Sequence, residues 1–207
     1  MDSFAHTSKP ARAQNARVKR TKAALYESLA SLMLEKNVNA ITVRELTSRA
    51  NINRATFYIH YKDIDDMICQ VRKEILDDFS VVLNTHHTEV SGERPHSMLC
   101  DMFRFLERHA SICKAFLGTH GDAEFISLLR NKLLDKCVTD WAKLFPSHPI
   151  AYVPEYFSVF VVTGCIGLFE HWIDTGMHQT PEEMAYMADQ MFRNGIRFLQ
   201  MPTPPSF

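Results

Sequence analysis

Apolar side chains recur at spacings of three and four residues along most of this chain, a period typical of amphipathic α-helices. In the first such segment, from Arg17 to Asn37, the apolar stripe includes Leu25, Leu29 and Met33. A second segment, from residue 63 to about residue 85, carries the stripe Ile64, Met67, Ile68, Val71, Ile75, Phe79 and Val82. Further helices are predicted over residues 96–109, 111–117, 122–145, 153–175 and 181–200. The pattern therefore predicts an all-α protein.

Two short helices lie between these long segments, and capping residues mark their ends. Thr42 and Glu45 form a capping-box pattern, in which each side chain satisfies a free backbone N–H at the start of a helix. That helix ends near Asn51, a residue type that tolerates a left-handed turn. Asn53 is placed to cap the next helix, which is predicted to run from Arg54 to residue 61.

The second short helix has an inward and an outward face. Phe57 and Tyr61 are four residues apart and are expected to face the core. The outward side chains are those of Arg54, Thr56, Tyr58 and His60. Two short helices joined by a tight turn match a helix-turn-helix, whose second helix enters the DNA major groove. There an arginine makes a two-pronged contact with guanine and methyl groups touch thymine, while the remaining polar side chains reach phosphates.

Composition adds a division of charge to this picture. Only 7 of the 207 residues are glycine, which argues against a sheet-rich fold and against glycine-rich phosphate loops. The net charge of −1 conceals a net charge of +7 on residues 1–62 and −8 on residues 63–207. A basic head on an acidic body indicates that the head meets a polyanion. The alternative is a three-helix head whose basic, polar surface is merely solvated.

The segment from Thr42 to Lys62, TVRELTSRANINRATFYIHYK, resembles the DNA-binding signature of TetR-family transcriptional regulators. Thr-Phe-Tyr-x-His-Tyr-Lys follows Thr-Val-Arg-Glu-Leu at the spacing of the family, and the likeness extends over about residues 18–79. The resemblance implies a DNA-binding domain over residues 17–62, in which Arg44 contacts a base or a phosphate. The implied DNA-binding residues are Thr42, Arg44, Asn53, Arg54, Ala55, Thr56, Tyr58, His60 and Lys62, with residues 54–56 reading bases and Tyr58, His60 and Lys62 holding phosphates.

The segment also departs from the pattern of the family at three places. Asn51 stands where a glycine is usual in the turn, and Ala55 stands where many members have a second glycine. A lysine often found at the start of the fourth helix is replaced by Ile64 or Asp65. We expect Lys62 and the basic residues before the first motif helix to compensate for that lost phosphate contact.

The C-terminal half is similar in layout to a subgroup of the family found largely in Gram-positive bacteria, one branch of which controls dihydroxyacetone utilisation. The likeness lies in GCIGLFEHWIDTGMHQTPEEMAYMADQMFRNGIRFL. It implies a helical effector-binding and dimerisation domain over residues 63–201, whose last two helices pair with their copies in a homodimer. The predicted interface residues are Phe157, Val161, Leu168, Phe169, Trp172, Met184, Met187, Met191 and Leu199. The alternative is that these stripes fill the core of one monomer.

Other segments and sites follow from the remaining composition. Residues 1–16 lack apolar periodicity and are predicted to form a flexible basic arm, residues 86–95 a linker and residues 202–207 a tail. The opening residues lack a secretory signal, and the longest nearly apolar stretch, 14 residues from Tyr156 to Phe169, is short for a bilayer span. We therefore expect a cytoplasmic protein without membrane contact.

The acidic body is a candidate effector domain, because a helical bundle can enclose an apolar cavity. Candidate ligand-binding residues for a small-molecule effector are Phe103, His109, Phe116, Trp141 and His171. No metal site or cofactor is predicted, since His109 and Cys113 supply two ligands where zinc needs three or four. No catalytic residues are predicted either, because Glu170 and His171 are neighbours on a helix and point about 100° apart.

These observations favour a homodimeric TetR-like regulator, with no enzymatic activity, that binds double-stranded DNA at a palindromic operator. Repression is the default expectation from the family, and activation is an alternative. A further alternative is a regulator-like module that reads sequence weakly and acts by binding a protein partner. The missing lysine at the start of the fourth helix is the motive for that alternative.

Overall fold

A computed structural model describes residues 9–85, 94–118, 121–144 and 153–199, and every long element within these ranges is an α-helix. The helices are α1 (Lys9–Glu35), α2 (Val43–Arg49), α3 (Arg54–His60), α4 (Ile64–Thr85), α5 (Arg94–Arg108), α6 (Ala110–Leu117), α7 (Ala123–Leu144), α8 (Val153–Asp174) and α9 (Pro181–Leu199). A short 3-10 turn, Val38–Ala40, joins α1 to α2. The all-α prediction is confirmed, with a three-helix head followed by a larger helical body.

The first helix begins eight residues earlier than predicted, at Lys9 instead of Arg17. Residues 9–16 are therefore helical, and the prediction of a flexible arm is wrong for them; residues 1–8 lie outside the described ranges. Alanine, arginine, glutamine and lysine dominate this segment and are strong helix formers. Pro10 is the second residue of the helix, where its missing N–H has no intrahelical partner to lose. Periodicity missed this extension because the segment has no apolar stripe.

The head is held together by side chains from its three helices. Leu25 and Leu29 of α1, Leu46 of α2 and Phe57 of α3 are fully buried, and Tyr61 just after α3 is almost fully buried. The prediction that Phe57 and Tyr61 face the core is therefore confirmed. Because these side chains fix the axis of α3, its opposite face is directed away from the protein.

Local capping sets where the short helices begin and how they turn. The Glu45 N–H donates to Thr42 Oγ1 at 3.2 Å, and the Thr42 N–H donates to Glu45 Oε2 at 3.2 Å, which confirms the capping box. Asn51 has φ of 52°, in the left-handed region that asparagine tolerates. The Ala55 N–H donates to Asn53 Oδ1 at 2.8 Å, so Asn53 caps α3 as predicted.

The body consists of two packed helix pairs with α4 leading into them. Helix α5 lies along α9, α7 lies along α8, and α6 packs against α1 of the head. The predicted stripe of α4 is confirmed, because six of its seven members are buried and Val82 is partly buried. Of the predicted linker, residues 86–93 lie outside the described part and residues 94–95 belong to α5.

Near its midpoint, helix α4 is anchored both to the head and to the body. Toward the head, Glu74 accepts a hydrogen bond from Lys22 at 3.0 Å and a short one from the Tyr26 hydroxyl, both on α1. Toward the body, the Arg72 guanidinium donates to Asp122 just before α7 at 2.6 and 2.9 Å. Burial would lower the pKa of Arg72, but the hydrogen bonds and charges of Asp122 and Glu124 outweigh burial and raise it.

Helix α8 is the most apolar helix of the body. Its segment Glu155–Asp174 spans 20 residues with a mean hydropathy of 1.4, so by length and composition alone it passes as a candidate membrane span. The 14-residue estimate made from the sequence was thus too short. Half of the apolar window is buried inside the protein, as in the core helix of a globular domain.

Candidate nucleic-acid interface

The predicted DNA-binding residues form one surface on α2, the following turn and α3. The side chains of Arg44, Arg54, Tyr58 and Lys62 are exposed, as are Thr42, Asn53 and Ala55, whereas Thr56 and His60 are partly buried. The oxygen atoms of Thr42 and Asn53 are engaged in helix caps. These two side chains therefore fix where α2 and α3 begin.

Three basic side chains of this surface are unengaged. Within the described ranges, Arg44, Arg54 and Lys62 form no ion pair and no side-chain hydrogen bond. Exposed cations that form no ion pair within the described ranges are suited to bind phosphates or base edges.

Two other basic residues of the head, Lys36 just after α1 and Arg49 in α2, are paired with glutamates. Lys36 contacts Glu45 at 2.5 Å, and Arg49 binds Glu35 through two hydrogen bonds at 2.6 and 2.9 Å. The Arg49 hydrogen bonds hold the pKa of Glu35 below its ordinary value. These pairs join the helices of the head to one another, and they leave Lys36 and Arg49 less available to a polyanion.

The outward face of α3 is more apolar than the sequence prediction stated. Tyr58 is exposed and meets the buried Phe57 ring edge-on, with 5.4 Å between ring centroids. Ile59, beside it, is also exposed and was assigned no role from the sequence. Its position could have been found from helical geometry, because it lies nearly opposite Phe57 on a helix of 100° per residue.

The start of α4 has a buried isoleucine and bound carboxylates in the region where the pattern of the family has a lysine. Ile64 is buried and anchors the first turn of α4 in the core. The Lys62 N–H donates to the Asp66 carboxylate at 2.9 Å, and the Asp66 N–H donates to Asp63 Oδ1 at 2.8 Å. The hydrogen bonds from Lys62 and Gln70 lower the pKa of Asp66. The chain thus satisfies these N–H groups with its own carboxylates at the place where the resemblance implies a phosphate contact.

The predicted effector residues do not converge on one cavity. Phe103 is fully buried, with ring centroids 5.0 Å from Phe169 and 5.3 Å from Trp172, and Phe116 is fully buried elsewhere in the core. His109 is partly buried and His171 is exposed, while the Trp141 side chain lies outside the described part. The assignment of these five residues to an effector site stays a prediction.

A small cavity does lie in the body, between α4, α5, α6, α7 and α8. Its volume is about 10 Å³, room for about one water molecule. Its lining residues are Ile75, Leu76, Phe79, Phe105, Leu106, Cys113, Leu117, Phe125, Leu129 and Phe169. Phe103, His109, Phe116 and His171 do not line it.

The cysteines and histidines offer no cluster of ligands in the described ranges, where no three metal-binding side chains come together. Cys113 is buried in α6, and burial raises the pKa of its thiol to about 12. His109 lies at the start of α6 beside the Phe105 ring, with centroids 4.5 Å apart, and burial lowers its pKa.

The predicted dimer interface requires a correction. Phe169, Trp172 and Met184 are buried in the main core of the monomer and present no surface to a second subunit. Phe157 and Val161 are buried in a separate small cluster. Met187 and Met191 are exposed as the prediction requires, Leu168 is partly buried, and the Leu199 side chain lies outside the described part. Helix α8 is apolar on two faces, so periodicity selected the face that belongs to the monomer core.

A second apolar face of α8 was missed by the sequence prediction. Tyr156 is 71% exposed and Phe160 is 70% exposed. Gly164 and Gly167 continue the same side of the helix, and a Cβ atom added at either would meet nothing within 4 Å. On α9, Tyr186 is exposed near the two methionines. The last two helices thus carry exposed apolar side chains.

Comparisons with known proteins agree with this geometry. The family described as "Bacterial regulatory proteins, tetR family" matches residues 25–71, and the one described as "Transcriptional regulator C-terminal region" matches residues 93–194. No curated protein sequence matches the chain.

Several solved structures have the same fold. A TetR transcriptional regulator from Streptococcus agalactiae 2603V is 20% identical with a TM-score of 0.55, over 88% of this chain and 98% of its own. The dihydroxyacetone kinase operon activator DhaS is 16% identical with a TM-score of 0.57, over 86% and 97%. A putative TetR-family regulator from Syntrophomonas wolfei is 12% identical with a TM-score of 0.62, over 91% and 99%.

A three-helix head with an unengaged basic surface, carried on a helical body, defines a regulator of the helix-turn-helix class. The two matched segments together span more than two thirds of the chain. The chain belongs to the TetR family of transcriptional regulators, which confirms the resemblance seen in its sequence. DNA binding is general to this family.

Proposed function

We propose that this protein is a cytoplasmic regulator that binds a palindromic DNA operator as a homodimer and has no enzymatic activity. The observation that carries the proposal is the set of exposed, unengaged cations Arg44, Arg54 and Lys62 on one surface of the head. Together they span α2, the start of α3 and the turn between α3 and α4, as a helix-turn-helix lying in a major groove requires.

Each part of the surface has a separate task in this proposal. Arg54, at the start of α3, contacts guanine in the groove, and Ala55 and Thr56 contact neighbouring bases. Lys62, Tyr58 and His60 bind phosphates, which set the register without carrying sequence information. Arg44 on α2 contacts the backbone or a base at the edge of the groove. Thr42 and Asn53 hold the two helices at the correct angle through their caps and contact the DNA backbone.

The exposed apolar side chains of α8 and α9 support the homodimer. A twofold symmetric interface uses the same patch on both subunits, so it must be self-complementary. Tyr156 and Phe160 provide large apolar side chains, and Gly164 and Gly167 leave open space along the same side of α8. Such a dimer presents two recognition helices about 34–36 Å apart, or a somewhat larger span, to the two halves of an inverted repeat.

In this proposal a small-molecule or protein effector modulates DNA binding. A small molecule or a protein would change DNA affinity only by binding one spacing of the two heads more tightly than the other. The cavity between α4 and α8 has room for about one water molecule, so a small-molecule site at that place would have to open. Repression is the expected sign of regulation; DhaS, which shares the fold, is described as an activator, and activation is the alternative.

Selection from a random pool of double-stranded DNA at physiological salt tests the proposal. The parent protein should enrich an inverted repeat, and a variant with Arg54→Ala and Thr56→Ala should not. Arg130→Ala is the matched control, because Arg130 is an exposed cation of α7 in the body. Its removal should leave the enriched sequence unchanged.

A second candidate function is favoured by the start of α4, where Ile64 and the bound carboxylates replace the expected phosphate-binding lysine. It is a partner-binding module with weak sequence reading. A folded dimer that enriches no repeat, alone or with cell extract supplying effectors, would support this candidate and contradict operator binding.

A further inference from the structure

Ile59 on α3 is the most exposed large apolar side chain in the described part of the chain, at 76%. It lies in the middle of the surface that carries Arg54 and Lys62, beside the exposed Tyr58. The proposed function gives roles to the polar side chains around it and none to Ile59. An aliphatic group in this position is therefore unexplained by phosphate or hydrogen-bond chemistry.

Helical geometry places Ile59 at the centre of the outward face. With about 100° per residue, Ala55 and Ile59 lie about 160° and 200° around the axis from the buried Phe57. Both side chains are exposed. They are four residues apart, so they are neighbours along one strip of the helix. This strip points directly away from the core.

The polar side chains flank the strip on both sides. Arg54 and Tyr58 lie on one flank, and the partly buried Thr56 and His60 lie on the other. The face of α3 that penetrates a groove most deeply is thus aliphatic at its centre and polar at its edges. A ligand that matches it must present an apolar group between hydrogen-bonding and charged groups.

The floor of the major groove offers one apolar group, the C5-methyl of thymine, which 5-methylcytosine also carries. We infer that Ile59, together with Ala55, contacts a pyrimidine C5-methyl group and so selects a thymine at a defined position in each half-site. This inference rests on the proposed operator binding and adds a specificity-determining residue to it. Arg54 and Ile59 then read different base pairs by different chemistry.

Replacing single thymines with deoxyuridine removes the methyl group and keeps the base pair, which allows a direct test. The probe is the duplex enriched by the parent protein, with one thymine replaced at a time. Parent protein should lose about fourfold in affinity at one position per half-site, the effect of removing one buried methyl group. The other positions should change little.

Ile59→Ala provides the second arm of the test. The variant should bind the unmodified duplex more weakly than the parent does and should be insensitive to deoxyuridine at the identified position. Ile59→Val keeps a branched side chain and should retain most of the sensitivity. Val81→Ala is the matched control, because Val81 is an exposed aliphatic residue of α4, and it should behave as the parent.

The outcomes separate this inference from the function on which it rests. If the parent enriches a repeat but is insensitive to deoxyuridine everywhere, the inference is wrong and operator binding stands. If Ile59→Ala weakens binding yet keeps the full deoxyuridine effect, Ile59 acts on the shape of α3 and the inference is again wrong. If no duplex is enriched at all, operator binding fails and the inference fails with it.

Discussion

Some basic residues of the head hold its helices together, and others are available for binding. Lys36 and Arg49 are paired with glutamates and so join the helices, whereas Arg44 and Arg54 are exposed and form no ion pair with any described residue. Exposed ion pairs add little stability each. Their main consequence here is that they leave a defined subset of cations available for DNA.

Arg54 and Lys62 should respond differently to truncation. Arg54→Ala should weaken binding to the operator by about 1–3 kcal/mol and relax the preference at one base pair. Lys62→Ala should weaken binding to all sequences alike and reduce the slope of log affinity against log salt by about one. Titrations of operator and unrelated duplexes at several salt concentrations measure both effects. A sequence-selective loss in Lys62→Ala would contradict its phosphate role.

Among the helices, those with both an apolar stripe and capping residues were predicted to within a residue or two. The start of α2 follows from Thr42 and Glu45, and the turn before α3 follows from Asn51. These signals are local, so the sequence contains them in full. The outward polar residues of α3 follow from the same signals, whereas the exposure of Ile59 does not, because polarity does not mark an exposed aliphatic side chain.

Two features could not be obtained from periodicity. Residues 9–16 of α1 form a helix without an apolar stripe, so only their intrinsic propensity indicated it. In α8 the apolar residues occupy more than one face, and a period cannot tell which face meets its own core and which remains open. Phe169 and Trp172 were assigned to the wrong face for this reason.

The capping box of α2 should make head stability depend on pH. Hydrogen bonds from Lys36 and Thr42 hold the pKa of Glu45 below its ordinary value of 4.5. A carboxyl with a lowered folded-state pKa stabilises the fold fully above its ordinary pKa, and this contribution is lost as the pH falls through the lowered value. Glu45→Gln should therefore reduce the free energy of unfolding at neutral pH and have little effect in acid.

Urea denaturation at neutral pH and at about pH 3 measures this difference. Glu107→Gln is the control, since Glu107 is an exposed carboxylate of α5 without an ion pair in the described part. An equal loss from Glu45→Gln at both pH values would mean that the charge of Glu45 is irrelevant to the cap.

The contact between α4 and α7 should be the strongest single ionic contribution to the body. Arg72 and Asp122 have side chains only 11% and 10% exposed, and Asp122 also accepts a hydrogen bond from the Glu124 N–H at 3.0 Å. Asp122→Asn should lower the free energy of unfolding by about 2–3 kcal/mol, because it leaves a buried cation with Glu124 alone. Glu124→Gln should cost less than about 1 kcal/mol, since Glu124 is mostly exposed.

Chemical denaturation of the two variants under identical conditions checks this ranking. The predicted ranking would be contradicted if Glu124→Gln were the more destabilising change. Because α4 joins the head to the body, the head and the body of the Asp122→Asn variant should also unfold at different temperatures.

In the whole molecule, the open face of α8 should control assembly. Phe160→Asp places a charge in the middle of the proposed twofold interface and should raise the dimer dissociation constant at least about tenfold. Sedimentation equilibrium measures the constant, and operator affinity should fall with it. Val81→Asp introduces the same charge at an exposed aliphatic position of α4 and should leave assembly unchanged. A Phe160→Asp protein that remains a dimer would show that the interface lies elsewhere.

The opposed charges of head and body also affect how the molecule reaches DNA. Residues 1–62 carry +7 and residues 63–207 carry −8, so the protein is an electric dipole with almost no net charge. In the field of a polyanion such a dipole turns before contact, and the basic end arrives first. The polyanion repels the acidic body, so fewer wrong orientations are sampled before the basic head reaches DNA. A regulator with a nearly neutral chain can thus associate rapidly with DNA without adhering to it along its whole surface.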